Sequence, residues 1–420
     1  MFQKTVLDNG VRVVTVPMNS VQSAAALVMV KTGSRYEVKK TNGISHVLEH
    51  MALKRTNNYP NKFQIDTLLD SIGSSHNAFT SKEYTGFYVK AESRHLELIL
   101  NILSGVVTDP LLDKDDLENE KKTIIEEINM YEDQPQAKVG ELYEELLFAP
   151  NPLGWPIAGT RETVAALSRE DIMGYIKNKY AAQNLVVGVA GNITALTSSQ
   201  LNRYFEGIKI GEKSQFENLK VEQDRPKSLI FDKKTDQAHL CLGVRGYNIA
   251  HPDRYALSLL SIILGGNSSS RMFIEIREKR GLAYYVGSGA EEFADVGYFV
   301  TQAGLRIDSV PDAIKVMLGE FDKIKNEKIS DEELRRAKDY WRGKMALSLE
   351  DSFRVASFYA SSELLEDKIE TPEEIMKKVD AVTTTDIQRV AKDIFVNGKL
   401  NLAVIGPFKD SARFDKILRL

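Results

Sequence analysis

An α+β fold made of two homologous domains, each a mostly antiparallel sheet packed with helices and related by internal duplication, is predicted by three observations. The chain has 420 residues, beyond the roughly 250–300 at which a single core stops growing. Its order of strands and helices restarts after a polar, glycine-broken, weakly periodic stretch at 205–227. Finally, REDIMGYIKNKYAAQNLVVGVAG (169–191) aligns without gaps on TTDIQRVAKDIFVNGKLNLAVIG (384–406) at an offset of 215, placing Asp171 on Asp386, Ile172 on Ile387, Leu185 on Leu400 and Gly191 on Gly406. Chance similarity between two helix-then-strand pairs is the competing explanation. Domains at 1–215 and 228–420, joined by a linker at 216–227, are expected.

The elements follow from local patterns. Asn9-Gly10 supplies a turn between strands KTVLD and VRVVTV, and SAAALVMVKTG reads as a further strand. Helical periodicity follows in GISHVLEHMAL, in NKFQIDTLLDSIG ending at Gly73, in SRHLELILNILSGVV, and in DKDDLENEKKTIIEEINMYE with its acidic first turn. HNAFTSKEYTGFYVKA is strand-like. In the second half, strands SLIFDKK and AHLCLGVRGY lead to helices DRYALSLLSIILGG and SSRMFIEIREKRG, then to strands around YYVGSG and GYFVTQAG.

Composition narrows the function. The formal charge is −4, with 55 basic residues scattered among 59 acidic ones, so nucleic acid is not an expected partner. The single cysteine, Cys241, rules out a disulfide framework and a cysteine-rich metal site, leaving His, Asp and Glu as possible ligands. No run of 18 apolar residues occurs, so membrane insertion is not expected and a cytoplasmic location is the simplest expectation. Gly265-Gly266 lacks the Lys-Ser/Thr ending of a phosphate loop and reads as a helix end; Trp155 and Trp341 carry no stacking pattern.

Within GISHVLEHMAL, His46, Glu49 and His50 are spaced i, i+3, i+4 and project from one helix face. Two imidazoles one turn apart can hold one ion, and a hydrolytic zinc site uses three protein ligands and an open position. Glu49, beside His50, can take a proton from a water attacking a carbonyl. The order is inverted relative to His-Glu-x-x-His, but the geometry serves the same chemistry. A solvated polar helix face is the alternative for these three residues alone, as it is for the Glu-rich helix at 118–127.

On HVLEH the chain resembles the pitrilysin or insulinase type of inverted zinc peptidases, and within it the branch of mitochondrial processing peptidase and related bacterial enzymes. The resemblance spans nearly the whole chain, from LDNGVRVVTV to LSLEDSFRVASFYASSELL. It implies a third zinc ligand 76 intervening residues after the motif, a spacing that Glu127 meets, with one Zn2+ per chain. Glu120, seven residues earlier on the same face, matches the family's accessory acid and is a candidate to orient a ligating histidine; the rival Glu126 is rotated by about 100°. Asn77, Ala78, Phe79 and Thr80 resemble the exposed edge strand that pairs with an extended peptide. His76 beside them is expected to be a polar strand residue. Arg277 and Tyr284 match an Arg/Tyr pair said to reach across the cleft, where Tyr284 would hydrogen-bond the developing oxyanion and Arg277 would hold substrate.

The implied activity is zinc-dependent endopeptidase cleavage of peptides or unfolded segments, in the manner of a processing peptidase. The alternative is a non-catalytic structural or partner subunit, but those usually lose ligands, and here His46, Glu49, His50 and Glu127 are all present. Because family heterodimers separate the zinc site and the Arg/Tyr pair onto different chains and this chain carries both, a homodimer is expected.

Overall fold

The strands of the computed structural model, which describes residues 2–193, 196–366 and 368–420, form two sheets. The first contains β1 (Gln3–Val6), β2 (Arg12–Pro17), β3 (Ser23–Val30), β4 (Ser75–Thr80), β5 (Thr85–Glu92) and β6 (Leu185–Gly191), in the order β1-β2-β6-β3-β5-β4. All pairings are antiparallel except β2 with β6. The second contains β7 (Lys227–Asp232), β8 (Ala238–Gly246), β9 (Ala283–Glu292), β10 (Gly297–Leu305) and β11 (Leu400–Gly406), in the order β7-β11-β8-β10-β9.

From β2 onward the two orders match strand for strand, including the one parallel pair. Even the register repeats: Arg12 faces Val186 and Lys227 faces Asn401, each 215 residues on. Helices Arg169–Lys179 and Thr384–Ile394, and strands β6 and β11, have bounds at the same offset. Each helix starts with a capping box, Ser168 with Asp171 and Thr383 with Asp386.

Both faces of the first sheet are covered, which explains why β3 reads SAAALVMV without polar alternation. Ala24, Ala26, Val28 and Val30 pack into a core shared with Val47, Leu48 and Met51 of helix Ile44–Ala52 and Ile99 and Leu103 of helix Leu96–Thr108. Leu27 and Met29 face the other way, onto Val355, Ala356, Tyr359 and Ala360 of helix Ser352–Leu365. That helix comes so close that a Cβ at Gly188 would lie 2.8 Å from the Ala356 carbonyl oxygen, so glycine is required there.

The compact units therefore redraw the continuous domains 1–215 and 228–420. One unit comprises residues up to Asn129, Trp155–Glu217 and Ala346–Ile369; the other comprises Met130–Gly154, Asn218–Met345 and Glu370–Leu420. The physical reason is reciprocal: helix Ser352–Leu365 covers the first sheet, while helix Pro135–Phe148 places Val139, Leu142, Tyr143 and Phe148 against Cys241, Ala403 and Ile405 of the second.

Smaller departures also have local causes. HNAFTSKEYTGFYVKA is two strands, β4 and β5, turning where Ser81 N–H donates to the Tyr84 carbonyl. The turn residues are buried: Lys82 donates to the Trp155 carbonyl at 2.6 Å, and Glu83 accepts from Arg35 at 2.6 Å. Within SSRMFIEIREKRG, Phe273–Glu278 winds as a π-helix. Among the described residues no helix is long and apolar enough to cross a membrane.

Candidate metal centre and peptide edge

Two helices build the site. The short one, Ile44–Ala52, buries Val47, Leu48 and Met51, which turns His46, Glu49 and His50 toward another side. Gly43 opens it with φ 97°, a conformation costly for any side chain, and a Cβ there would meet the Ala158 carbonyl oxygen at 2.6 Å. Since glycine offers no capping oxygen, the buried Glu37 carboxylate takes over, accepting from Gly43 N–H at 2.7 Å, Ser45 N–H at 2.9 Å and Asn42 Nδ2 at 2.9 Å. Burial raises the Glu37 carboxyl above its ordinary range, against the pull of those hydrogen bonds. Tyr175 holds Ser45 Oγ at 2.8 Å and also bonds Thr32.

The second helix, Lys114–Glu132, packs Leu117, Ile124 and Ile128 inward. Glu120 and Glu127 stand three residues after Leu117 and Ile124, so they ride beside that buried stripe instead of facing water. Glu126 is exposed. Of the two candidates only Glu127 joins the histidines.

His46 Nε2 lies 3.7 Å and His50 Nε2 3.5 Å from the same atom, Glu127 Oε2. One donor atom from each residue falls within 4.8 Å of the others. Ligand atoms arranged tetrahedrally about 2.1 Å from an ion lie about 3.4 Å apart, so these separations suit one small cation, and the two-nitrogen, one-oxygen donor set suits zinc. His50 Nδ1 is 3.1 Å from Glu120 Oε2, which leaves its Nε2 free for a metal. His46 Nδ1 is buried without a hydrogen-bond partner, and the ring stands edge-on to His50 at 4.7 Å between centroids.

The protonation of these side chains follows from burial and neighbouring charge. Burial, reinforced by the neighbouring His50 charge, lowers His46 to about 4, so its ring is neutral at physiological pH. Burial pulls His50 the same way, but the Glu120 and Glu127 carboxylates outweigh it and raise His50 to about 9. Glu120 is correspondingly lowered by its bonds to His50 and Lys54. Burial raises Glu49 above the usual glutamate range, opposed by the Thr80 hydroxyl and by His50.

β4, which carries Asn77, Ala78, Phe79 and Thr80, ends the first sheet, and its outer edge has no strand partner among the described residues. Phe79 folds over Gly86 on β5, where a Cβ would come within 2.3 Å of the ring. His76 stays off the metal cluster and bonds Ser74 Oγ at 2.9 Å. Arg277 and Tyr284 belong to the second unit. Arg277 is exposed, its guanidinium over the Phe273 ring at 4.8 Å; Tyr284, 59% exposed, lies on the edge strand β9.

Residues 12–161 match the family described as Insulinase (Peptidase family M16), and residues 166–340 match the Peptidase M16 inactive domain. The whole chain is 34% identical to an uncharacterized zinc protease, YmxG, of Bacillus subtilis, covering 97% of this chain and 98% of that one. This chain belongs to peptidase family M16. An uncharacterized zinc protease of Rickettsia felis is 35% identical over 97% of this chain and 98% of its own length. Two solved structures share the fold: a protease from Helicobacter pylori (TM-score 0.90, 23% identity, covering 97% of this chain and 99% of that one) and a chain of Complex III2 from Candida albicans (TM-score 0.82, 21% identity, covering 100% of both). His46, His50 and Glu127 all fall inside the first family match and none in the second.

Glu37, Tyr175 and Lys54, which pairs with Glu120 at 2.9 Å, were not legible as site residues. One signal for Glu37 was available: a helix opening at Gly43 needs an acceptor from outside itself.

Proposed function

We propose that this member of family M16 is a zinc-dependent endopeptidase that cleaves peptides or unfolded protein segments, in the manner of a processing peptidase, with one zinc per chain. The supporting observation is the convergence of His46 Nε2, His50 Nε2 and Glu127 Oε2, with Glu49 on the same helix as the two histidines. Bound zinc would supply Lewis acidity, polarising the scissile carbonyl and lowering the pKa of a water.

The chain's own residues do the rest. His46, His50 and Glu127 hold the ion, and Glu120 fixes the His50 tautomer. Glu49 takes the proton of the attacking water and returns it to the departing amine. The outer edge of β4 pairs with the backbone of an extended substrate through Asn77–Thr80, which favours unfolded chains over folded ones. Exposed Tyr284 and Arg277 are available to a substrate, the first as a donor to an oxyanion, the second as a partner for carbonyl or carboxylate groups.

A fold shared with a chain of Complex III2 does not separate an enzyme from a structural subunit; the intact ligand set with Glu49 favours the enzyme. Zinc analysis combined with cleavage of an unstructured peptide library, with and without a chelator, tests the proposal. Zinc near one per chain and chelator-sensitive cleavage are expected; zinc-free protein, or cleavage indifferent to chelation, would remove it. A chain carrying both the metal ligands and the Arg/Tyr pair needs no different partner chain, so we also propose a homodimer; light scattering that finds only monomer at micromolar concentration counts against that.

A further inference from the structure

Helix Lys114–Glu132 presents three carboxylates on one face, Asp116, Glu120 and Glu127, at i, i+4 and i+11. Only the last reaches the metal cluster. The other two are gripped by the segment that leaves the motif helix. Lys54 Nζ lies 2.9 Å from Glu120 Oε1. Arg55 Nε donates to Asp116 Oδ2 at 2.7 Å, and Lys62 Nζ is 3.3 Å from Asp116 Oδ1. Backbone bonds add to the strap: Leu111 N–H to the Arg55 carbonyl at 2.9 Å, and Asn57 N–H to the Asp109 carbonyl at 3.3 Å.

The two oxygens of Glu120 are thus divided, Oε1 to Lys54 and Oε2 to His50 Nδ1 at 3.1 Å. A carboxylate held on one side only is free to rotate about its last torsion, a broad and shallow one. A cation on Oε1 removes that freedom and leaves Oε2 aimed at the imidazole. We propose that Lys54 is a positioning residue of the metal centre: by fixing Glu120 it fixes the ring of His50 and so the lone pair on Nε2. Arg55 and Lys62, clamping Asp116 one turn earlier without touching Glu120, join the helices but do not orient a ligand. The inference rests on the proposed zinc site and adds a layer to it.

The test uses the full chain, stripped of metal and titrated with zinc against a chromophoric chelator, with thermal unfolding of each metal-free variant alongside. Outer-shell partners of zinc ligands commonly contribute about 10- to 100-fold in affinity. Lys54→Met should weaken zinc binding about tenfold, near the bottom of that range because it acts through Glu120. Lys54→Arg, which keeps a donor for Oε1, should stay within about twofold of wild type, as should Arg55→Met, even though Arg55→Met lowers the unfolding temperature. Unchanged affinity in Lys54→Met overturns the inference, and so does an equal loss in Arg55→Met, which would signal general loosening of the strap. Both outcomes leave the zinc site standing. Failure of the wild-type chain to bind zinc sinks the site and the inference together.

Discussion

The two units use one scaffold for different ends. Each has five strands in a matching order, with the same parallel pair and, among the described residues, an edge strand with no outer strand partner, β4 in one and β9 in the other. Between the third strand and that edge, the first unit inserts helix Ile44–Ala52 with His46, Glu49 and His50, whereas the second inserts helix Arg254–Gly265, whose Leu257, Leu260, Ile263 and Leu264 are simply buried. The helices Lys114–Glu132 and Asp331–Ser348 differ likewise: only the first brings a carboxylate to a histidine pair. A handful of side chains on shared geometry separates a candidate metal centre from a packed core, so function here belongs to the site and not to the fold.

The largest effect that would break this contrast comes from Glu49. Glu49→Gln keeps the shape of the side chain but cannot take a proton, and should lower kcat for peptide cleavage by about 10²–10⁴-fold. Zinc content, measured on the same preparation, should stay at the wild-type level. Activity within tenfold of wild type would take the base role away from Glu49; loss of zinc with loss of activity would make it a holder of the ion.

Next in size are the buried twins Ile172 and Ile387, each fully buried at equivalent positions of the repeated helix. Truncation to alanine should cost about 2–5 kcal/mol at either place. If only the Ile172→Ala variant also loses zinc affinity, the site is confined to the first unit as the geometry implies. Equal loss from Ile387→Ala would mean that the second unit supports the metal centre too.

The pH response should separate the units further. In the metal-free protein His50 stands at about 9 and His46 at about 4, against an ordinary 6.5. A ligating imidazole must be unprotonated, so zinc binding expels the His50 proton and affinity should fall about tenfold per pH unit from about 9 down to about 7. The sign for stability follows: a pKa raised on folding means that the proton on His50 stabilises the metal-free fold below 6.5, and this contribution is lost as pH rises through about 9. His46 is opposite, costing stability as pH falls from 6.5 toward about 4. Zinc affinity measured by chelator competition and found flat between pH 7 and 9 would refute the His50 assignment.

Much of this was readable beforehand because it is local. The helix-then-strand pair repeated at 169–191 and 384–406 and the i, i+3, i+4 motif are each written in one short stretch of chain. Glu127 meets the spacing that the resemblance implies, and its position beside Ile124 keeps it half-buried. The exchange of helices Pro135–Phe148 and Ser352–Leu365 was hidden because an amphipathic helix does not say which sheet it will cover. The turn between β4 and β5 was missed for another reason: Ser81–Tyr84 holds no glycine, proline or asparagine, and it is secured by the distant Arg35 and the Trp155 carbonyl. Lys54, likewise, looks like any solvent-facing lysine until Glu120, far along the chain, is placed against it.

The smallest expected effect is also the cleanest control on the duplication. Ser168 and Thr383 accept from the N–H groups of Asp171 and Asp386, and each aspartate returns a bond to the backbone N–H of its cap at 2.9 Å. Replacing either cap with alanine removes one acceptor at a helix start and should cost about 1 kcal/mol. Neither lies near the proposed metal ligands in the chain, so zinc affinity and kcat should not move with either. Chemical denaturation of Ser168→Ala and Thr383→Ala, read beside the wild type, should therefore give two losses that agree within about 0.5 kcal/mol. A much larger loss at one of them would show that equal backbone bounds conceal unequal packing, and that the two units diverged in stability as well as in chemistry.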